Sequence, residues 1–406
     1  MSSYPIFSVL GIEIEYMLVD RDTLAVQPKS DAILHMLAGE LVNEVPLGEI
    51  AASNELVMHV LELKNYGPKA PKTPIAEQFQ QTILELQPRL QELNLQFLPT
   101  GAHPWMDPLL ETHRWPHGDK SIYQQYDEIF NCQGHGWANL QSMHVNLPFS
   151  NDEEFAQLHN AVRLLLPLIP ALAASTPFLD GKPTGLLDSR LDFYGRNQQR
   201  IPSISGQIIP EFITSKAQYE KEILNPMYAD IRAFDPNGIL QYEWLNSRGA
   251  IAKFESMAVE IRIIDSQECV YADIAIAHAI HAILNHWHQN SALYLENICP
   301  SEPLKAVYDA SMKYGLAVEV DDSRLLEQWQ LPPRRMSLRE VWTLLIERIS
   351  SELNSNSQLA LEHILSHGNL SERILRACQN NYNRDTLKQV YRQLGNCLIE
   401  NKLFKA

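Results

Sequence analysis

Residues 11–19 read Gly11-Ile12-Glu13-Ile14-Glu15-Tyr16-Met17-Leu18-Val19. Ile12, Ile14 and Tyr16 alternate with Glu13 and Glu15, the period-two pattern of a strand with one apolar and one acidic face. Strand rise puts the two acids on one side, with α-carbons roughly 7 Å apart. Like charges at that spacing repel unless a cation lies between them. Carboxylates are hard ligands that suit Mg2+ or Mn2+. Taken alone, the pair is explained equally well by a half-buried strand with a solvated outer face. Recurrence of the pattern changes that balance.

Three further segments set acids or histidine among alternating apolar residues. These are Glu55 to Lys64, Ser142-Met143-His144-Val145-Asn146, and Ala258-Val259-Glu260-Ile261-Arg262-Ile263-Ile264-Asp265. Glu260 and Arg262 share a face. They either pair across a solvated sheet surface, or divide the work, the acid holding metal and the guanidinium an anionic substrate group. His144 and Asn146 share a face too, although a lone strand histidine is more often structural than a ligand. Glu55 and Glu62 differ in parity, so a regular strand cannot point both the same way. Either Glu55 precedes the strand, or a bulge intervenes, or Glu62 alone faces the site.

The chain has 406 residues, enough for one large domain or two smaller ones, and a net charge of -16. Nucleic-acid binders usually show a basic excess, so nucleic acid is not an expected partner. An acidic enzyme still binds ATP when metal ions bridge phosphates to its carboxylates. The five cysteines form no close pair, which argues for a reducing, cytoplasmic setting and against a disulfide framework or thiolate zinc site. Met1 to Phe7 lacks the character of a signal peptide. The most apolar run, Leu164 to Ala174, is short and holds two prolines, so no membrane partner is expected.

Strands are predicted at 6–20, 55–64, 95–101, 137–149, 239–246 and 257–265. Helices are predicted at 75–94, 154–174, 216–232 and 274–288, and then at 303–315, 336–355, 356–366, 370–380 and 384–400. Two long loops, 104–136 and 177–210, fit functional or lid-like segments. Irregular interleaving of strands and helices favours an α+β fold over a regular βαβ wind. Phosphate loops, dinucleotide fingerprints, nucleophile elbows and HExxH are absent. Cys132 lies near His135, with nothing else to support a nucleophilic pair. The apolar 274–288 and the helical tail could serve a core or a homo-oligomer interface.

Gly11 to Tyr16 resembles the opening GxExE strand of the glutamate–cysteine ligase family, in particular its second bacterial type, the carboxylate–amine ligases. Three more blocks fall in the family's order. Glu55 to Lys64 resembles its second acidic strand. Ala174-Ser175-Thr176-Pro177-Phe178, with Gly181, Thr184-Gly185 and Ser189-Arg190, resembles its SxPFxxG…TG…SxR loop. Val259-Glu260-Ile261-Arg262 with Asp265 resembles its VExRxxD strand. The resemblance covers roughly residues 9–290. The family's histidine block, nearer HVHVG, here reads Ser142 to Asn146, with one histidine and the glycine replaced.

The resemblance implies a glutamine-synthetase-like catalytic fold over 1–300, a mostly antiparallel, funnel-like sheet, with 301–406 a helical region packed on it. It implies ATP and Mg2+, with Mn2+ as an alternative, and Glu13, Glu15, Glu55, Glu62, Glu260 and His144 around the metals. Arg262 and Arg190 match the family's arginines near phosphate or substrate carboxylate, and Arg248 is a further candidate anion binder. The implied reaction joins L-glutamate or a related acid to an amine such as cysteine through an acyl phosphate. Two other readings of these residues stay open: a metal-dependent amide hydrolase, and a non-catalytic relative that binds an amino acid or nucleotide.

Overall fold

The computed structural model describes residues 4–118, 120–289 and 299–406. Its centre is an eight-stranded antiparallel sheet. The strands are β1 (Gly11–Asp20), β2 (Glu44–Leu47), β3 (Ile50–Asn54), β4 (Val60–Asn65), β5 (Leu95–Leu98), β6 (Ser142–Pro148), β7 (Ala250–Lys253) and β8 (Ala258–Asp265). Their order is β2-β3-β4-β1-β6-β8-β7, with β5 also paired to β1. One edge of β1 pairs with β4, and the other with β6 near its start and β5 near its end. Helices flank the sheet, so the fold is α+β.

Alternation sorts the two faces. Ile12, Ile14, Tyr16, Leu61, Leu63, Val145 and Ile261 join one core with Phe79 and Ile83 of the helix Ile75–Glu92 and Ile276 and Ile280 of the helix Val270–His288. The apolar stripe predicted over 75–94 is this first helix, buried through Ile75, Phe79, Ile83, Leu86 and Leu90. The stretch Asp152–Ala173 is long and apolar enough to cross a membrane, yet 94% of its window is buried inside the protein. Helix geometry breaks there at Leu166–Leu168, where Pro167 and Pro170 interrupt the ladder.

Several expectations are corrected. Residues 239–246 are not a strand; the segment is a turn leading to one 3-10 turn at Glu243–Leu245. Asp235 is the cause: its carboxylate accepts the N–H groups of Ile239 (2.9 Å) and Leu240 (2.8 Å), curling the chain. The strand beside β8 is instead Ala250–Lys253. The hairpin β2–β3 was not anticipated. It turns through Gly48 at φ 73°, a left-handed conformation that favours glycine in a two-residue hairpin loop. The second acidic strand begins at Val60, so Glu55 lies between β3 and β4. Residues 336–355 form Leu338–Ile349, and a separate helix starts at Ser355. All five cysteines are free.

Helices Leu370–Ala377 and Arg384–Glu400 form a second cluster through Leu370, Ile374, Tyr391 and Leu394, packed with Met17 and Val19 of β1. A fully buried ion pair anchors this region: Arg373 binds Glu268. Glu268 also accepts the N–H of Phe404 (3.1 Å), and Arg373 donates to the Phe404 carbonyl (2.9 Å). Removing one partner of such a pair strands a buried charge. Arg373→Met is expected to cost about 3–5 kcal/mol in urea unfolding, and a loss under about 1 kcal/mol would contradict the anchor.

His103 is held neutral inside the protein. Its Nε2 lies 2.8 Å from the Leu24 carbonyl and its Nδ1 accepts the Trp105 N–H at 3.3 Å. Burial pushes its pKa down to about 3. The unfolded chain takes up this proton near pH 6.5 and the folded one does not, so the His103 contribution is full above pH 6.5 and falls as pH drops toward 3. Against His103→Gln, the stability advantage of the wild type should shrink by about 3 kcal/mol between pH 7 and pH 4. A constant difference would show that the ring does not stay neutral.

Candidate metal and substrate site

Register places the polar residues on one face. Glu13 stands opposite Lys64 on one side and His144 on the other, Glu15 opposite Glu62, Glu62 opposite Ser53, and Asn146 between Gly11 and Glu260. Directly paired residues share a face. Four strands distant in sequence thus bring Glu13, Glu15, Glu62, His144 and Glu260 together. The ligand atoms of Glu13, His144 and Glu260 lie within 4.8 Å of one another, as do those of Glu15, Glu62 and His144.

Hydrogen bonds aim these groups. Glu15 accepts from the Ser142 N–H (2.7 Å) and hydroxyl (3.1 Å). The same hydroxyl lies 2.9 Å from His144 Nε2, and His144 Nδ1 lies 3.1 Å from Glu13. Ser53 donates to Glu62 (2.7 Å), and Lys64 Nζ sits between Glu62 (3.0 Å) and Glu44 (2.9 Å). Arg262 Nε is 3.1 Å from one oxygen of Glu260, and Lys253 binds the other.

Electrostatics reflect the crowding of the row. Burial, then repulsion from Glu62, Glu15 and Glu13, pushes the Glu55 carboxyl well above the usual range. Glu62 is raised by burial and by Glu13, with Lys64 opposing. For Glu13, burial acts upward, but the His144 hydrogen bond and the charges of His144, Lys253 and Lys64 win and hold it at about 2. Burial lowers His144, yet Glu13, Glu260 and Glu15 together raise it. A hard divalent cation would relieve this crowding, and four or five carboxylates with one imidazole suit Mg2+ or Mn2+.

At the Glu15 end the row opens into a cavity of about 480 Å³, within the roughly 300–1,000 Å³ usual for small-molecule sites. Glu15, Glu55, His144, Arg190 and Arg262 reach it, so Glu55 joins the site from the β3–β4 connection. Trp115, Tyr123, Tyr126, Trp137, Tyr194 and Trp244 form its walls. Sequence reasoning missed these walls individually, although the aromatic density of 104–136 was the signal for three of them, Trp115, Tyr123 and Tyr126. Residues 120–130 form the helix Lys120–Phe130, which supplies Ile122, Tyr123 and Tyr126. None of His103, His113, His117 and His135 lines the cavity.

Arg190 is held by Asp265, and its Nη2 is buried without a hydrogen-bond partner. Asp265 also accepts from the Ser175 N–H (2.8 Å) and the Thr176 hydroxyl (3.1 Å). Gly101 leaves the space for this carboxylate, since a Cβ there would sit 2.5 Å from Asp265 Cγ. Arg248 is elsewhere. Its Nε and Nη2 bind Glu211 at 2.6 and 2.7 Å, its Nη1 serves the Ser203 carbonyl and the Asn246 side chain, and it is not among the cavity residues. The expected anion binder is held by these protein partners outside the cavity.

The sequence model of glutamate–cysteine ligase family 2 matches residues 9–393. The chain belongs to this family. Its match runs past the 9–290 on which the resemblance rested, through most of the C-terminal helices. A protein of Archaeoglobus fulgidus with no assigned function is 40% identical over 68% of this chain and 74% of its own length. A protein of Corynebacterium efficiens, provisionally named glutamate–cysteine ligase 2-1, is 25% identical over 78% of this chain and 76% of its own. Among solved structures, the glutamate–cysteine ligase of Francisella tularensis in complex with AMP superposes with a TM-score of 0.64 at 14% identity, covering 97% of this chain and 90% of that one. At this identity the likeness is one of fold.

In this family member, Glu15→Gln and Glu62→Gln should each weaken Mn2+ binding by about tenfold or more, measured by titration calorimetry, while Arg248→Met leaves it unchanged. Equal effects of all three would mean that the acid row is not the metal site.

Proposed function

We propose that this protein is an ATP-dependent carboxylate–amine ligase that forms a γ-glutamyl amide through an acyl phosphate. The observation that carries the reading is the buried acid row opening into a cavity that holds two guanidinium groups, in a chain of this family. Joining a carboxylate to an amine is uphill in water, so the acid is first phosphorylated. Phosphoryl transfer asks for positioning and charge neutralisation rather than a protein nucleophile.

Glu13, Glu15, Glu55, Glu62, Glu260 and His144 would hold Mg2+, which would supply charge neutralisation to the phosphates. Arg262, steadied by Glu260, stabilises the transferring phosphoryl group. Arg190, fixed by Asp265, offers Nη2 to the donor's carboxylate. The aromatic walls exclude water from the reactive acyl phosphate, leaving the amine as the attacking group. The AMP bound by the Francisella protein supports nucleotide use by the shared fold. The reaction lies in 1–300, with 301–406 as its helical support, and the free cysteines fit a cytoplasmic setting.

The test is ADP and phosphate release with Mg2+, ATP and L-glutamate, with and without a panel of amines including cysteine, products being weighed by mass spectrometry. Amine-dependent ADP release and a new γ-glutamyl mass are expected. Glu260→Gln should lower the rate at least about 100-fold. Amide cleavage without ATP would replace the ligase with the hydrolase, and nucleotide binding without turnover of any acid would leave a binding protein.

A further inference from the structure

The acid row has two ends, and its cations divide between them. β8 runs parallel to β1 through the antiparallel β6, so the register orders the rows along β1. Lys253, opposite Ala258, comes first; then Gly11, Asn146 and Glu260; then Lys64, Glu13 and His144; then Ser53, Glu62 and Glu15. The cavity takes in Glu15 of the last row and His144 of the row before it. Arg190 and Arg262 line it, whereas Lys64 and Lys253 do not.

The two lysines differ from the acids beneath them. The Glu62 and Glu260 side chains are 8% and 3% exposed, those of Lys64 and Lys253 29% and 35%. Each ammonium therefore caps, from the solvent side, a buried carboxylate that the metal site would use. An arriving divalent ion competes for those same oxygens. The displaced ammonium groups, on flexible four-carbon stems with three donors each, are then point charges suited to phosphate, with Lys64 still holding Glu44 at 2.9 Å. Arg262, two residues from Glu260 on β8 and inside the cavity, is placed for the other side of the reaction.

We propose that Lys64 and Lys253 are the polyphosphate-binding residues of the nucleotide site, and that they serve as counterions of Glu62 and Glu260 until a divalent ion displaces them. The proposal rests on the ligase reading. The plain alternative is a pair of cross-strand surface ion pairs that only support the sheet.

The two roles move metal and nucleotide binding in different directions. Lys64→Met and Lys253→Met remove a competitor for the carboxylates, so Mn2+ alone should bind several-fold more tightly by calorimetry. The β,γ-imido analogue of ATP, added with Mn2+, should bind about tenfold more weakly in each variant, and AMP as in the wild type. Lys253→Arg keeps the charge and should keep analogue binding. If the variants bind the analogue as the wild type does, or lose Mn2+, analogue and AMP together, the lysines are structural and the proposal is overturned. A wild type that makes the γ-glutamyl product while its lysine variants bind the analogue normally sinks this proposal alone. A wild type that binds no triphosphate sinks the ligase reading with it.

Discussion

Burying several like-charged carboxylates on one sheet face is the constraint around which the rest is arranged. Glu13, Glu15, Glu62 and Glu260 repel one another in a medium that screens poorly. They are tolerated because every position around them is answered. Ser53, Ser142 and Asn146 donate hydrogen bonds, His144 stands at the centre, and Lys64, Lys253 and Arg262 supply positive charge. The opposite face of the same strands is mostly apolar and packed under helices. One surface of the sheet thus provides the stability that the other, left to itself, would forfeit.

Period-two alternation made the acidic faces readable, because Glu13 with Glu15, or Glu260 with Arg262, is a local relation within a strand. Relations between strands are not local. Nothing near Glu62 announces that it stands opposite Glu15, or near His144 that it stands opposite Glu13. The parity conflict of Glu55 resolves by the first of its three options, a position before the strand begins. The cavity walls are assembled from separate segments, and nothing within 137–149 or 239–246 shows that Trp137 and Trp244 face a shared cavity. Arg248 and Arg190 look alike in the chain, and only the partners that fold around each, Glu211 and Asp265, separate a strut from a cavity residue. The turn at 239–246 was misread as a strand because alternating aromatics outweighed the capping role of Asp235.

Buried ion pairs recur where the chain changes direction behind the site. Arg190 with Asp265 ties the Ser189–Tyr194 helix to the end of β8. Three residues further on, Glu268 with Arg373 ties the C-terminal helices to the start of the long helix Val270–His288. Such pairs add little net stability compared with apolar contacts of the same size, but they tolerate only one arrangement. Their value here is geometric: the segment from Asp265 to Glu268 is pinned from two directions, one of them through the cavity residue Arg190.

The antiparallel register has a consequence for how the molecule comes to exist. The ligand set joins residues as far apart as Glu13 and Glu260, and Glu13 meets His144 across 131 positions. Long-range strand pairings close large loops and form slowly compared with helices and hairpins. The hairpins β2–β3 and β7–β8 form early at small entropic cost, whereas the zipping of β6 between β1 and β8 must await distant segments. During that interval the acids are dispersed and hydrated, and no high-affinity ion site exists. Under the proposed reading, metal capture would report the last docking event, and an ion that binds only the finished register would slow the return journey to the unfolded chain.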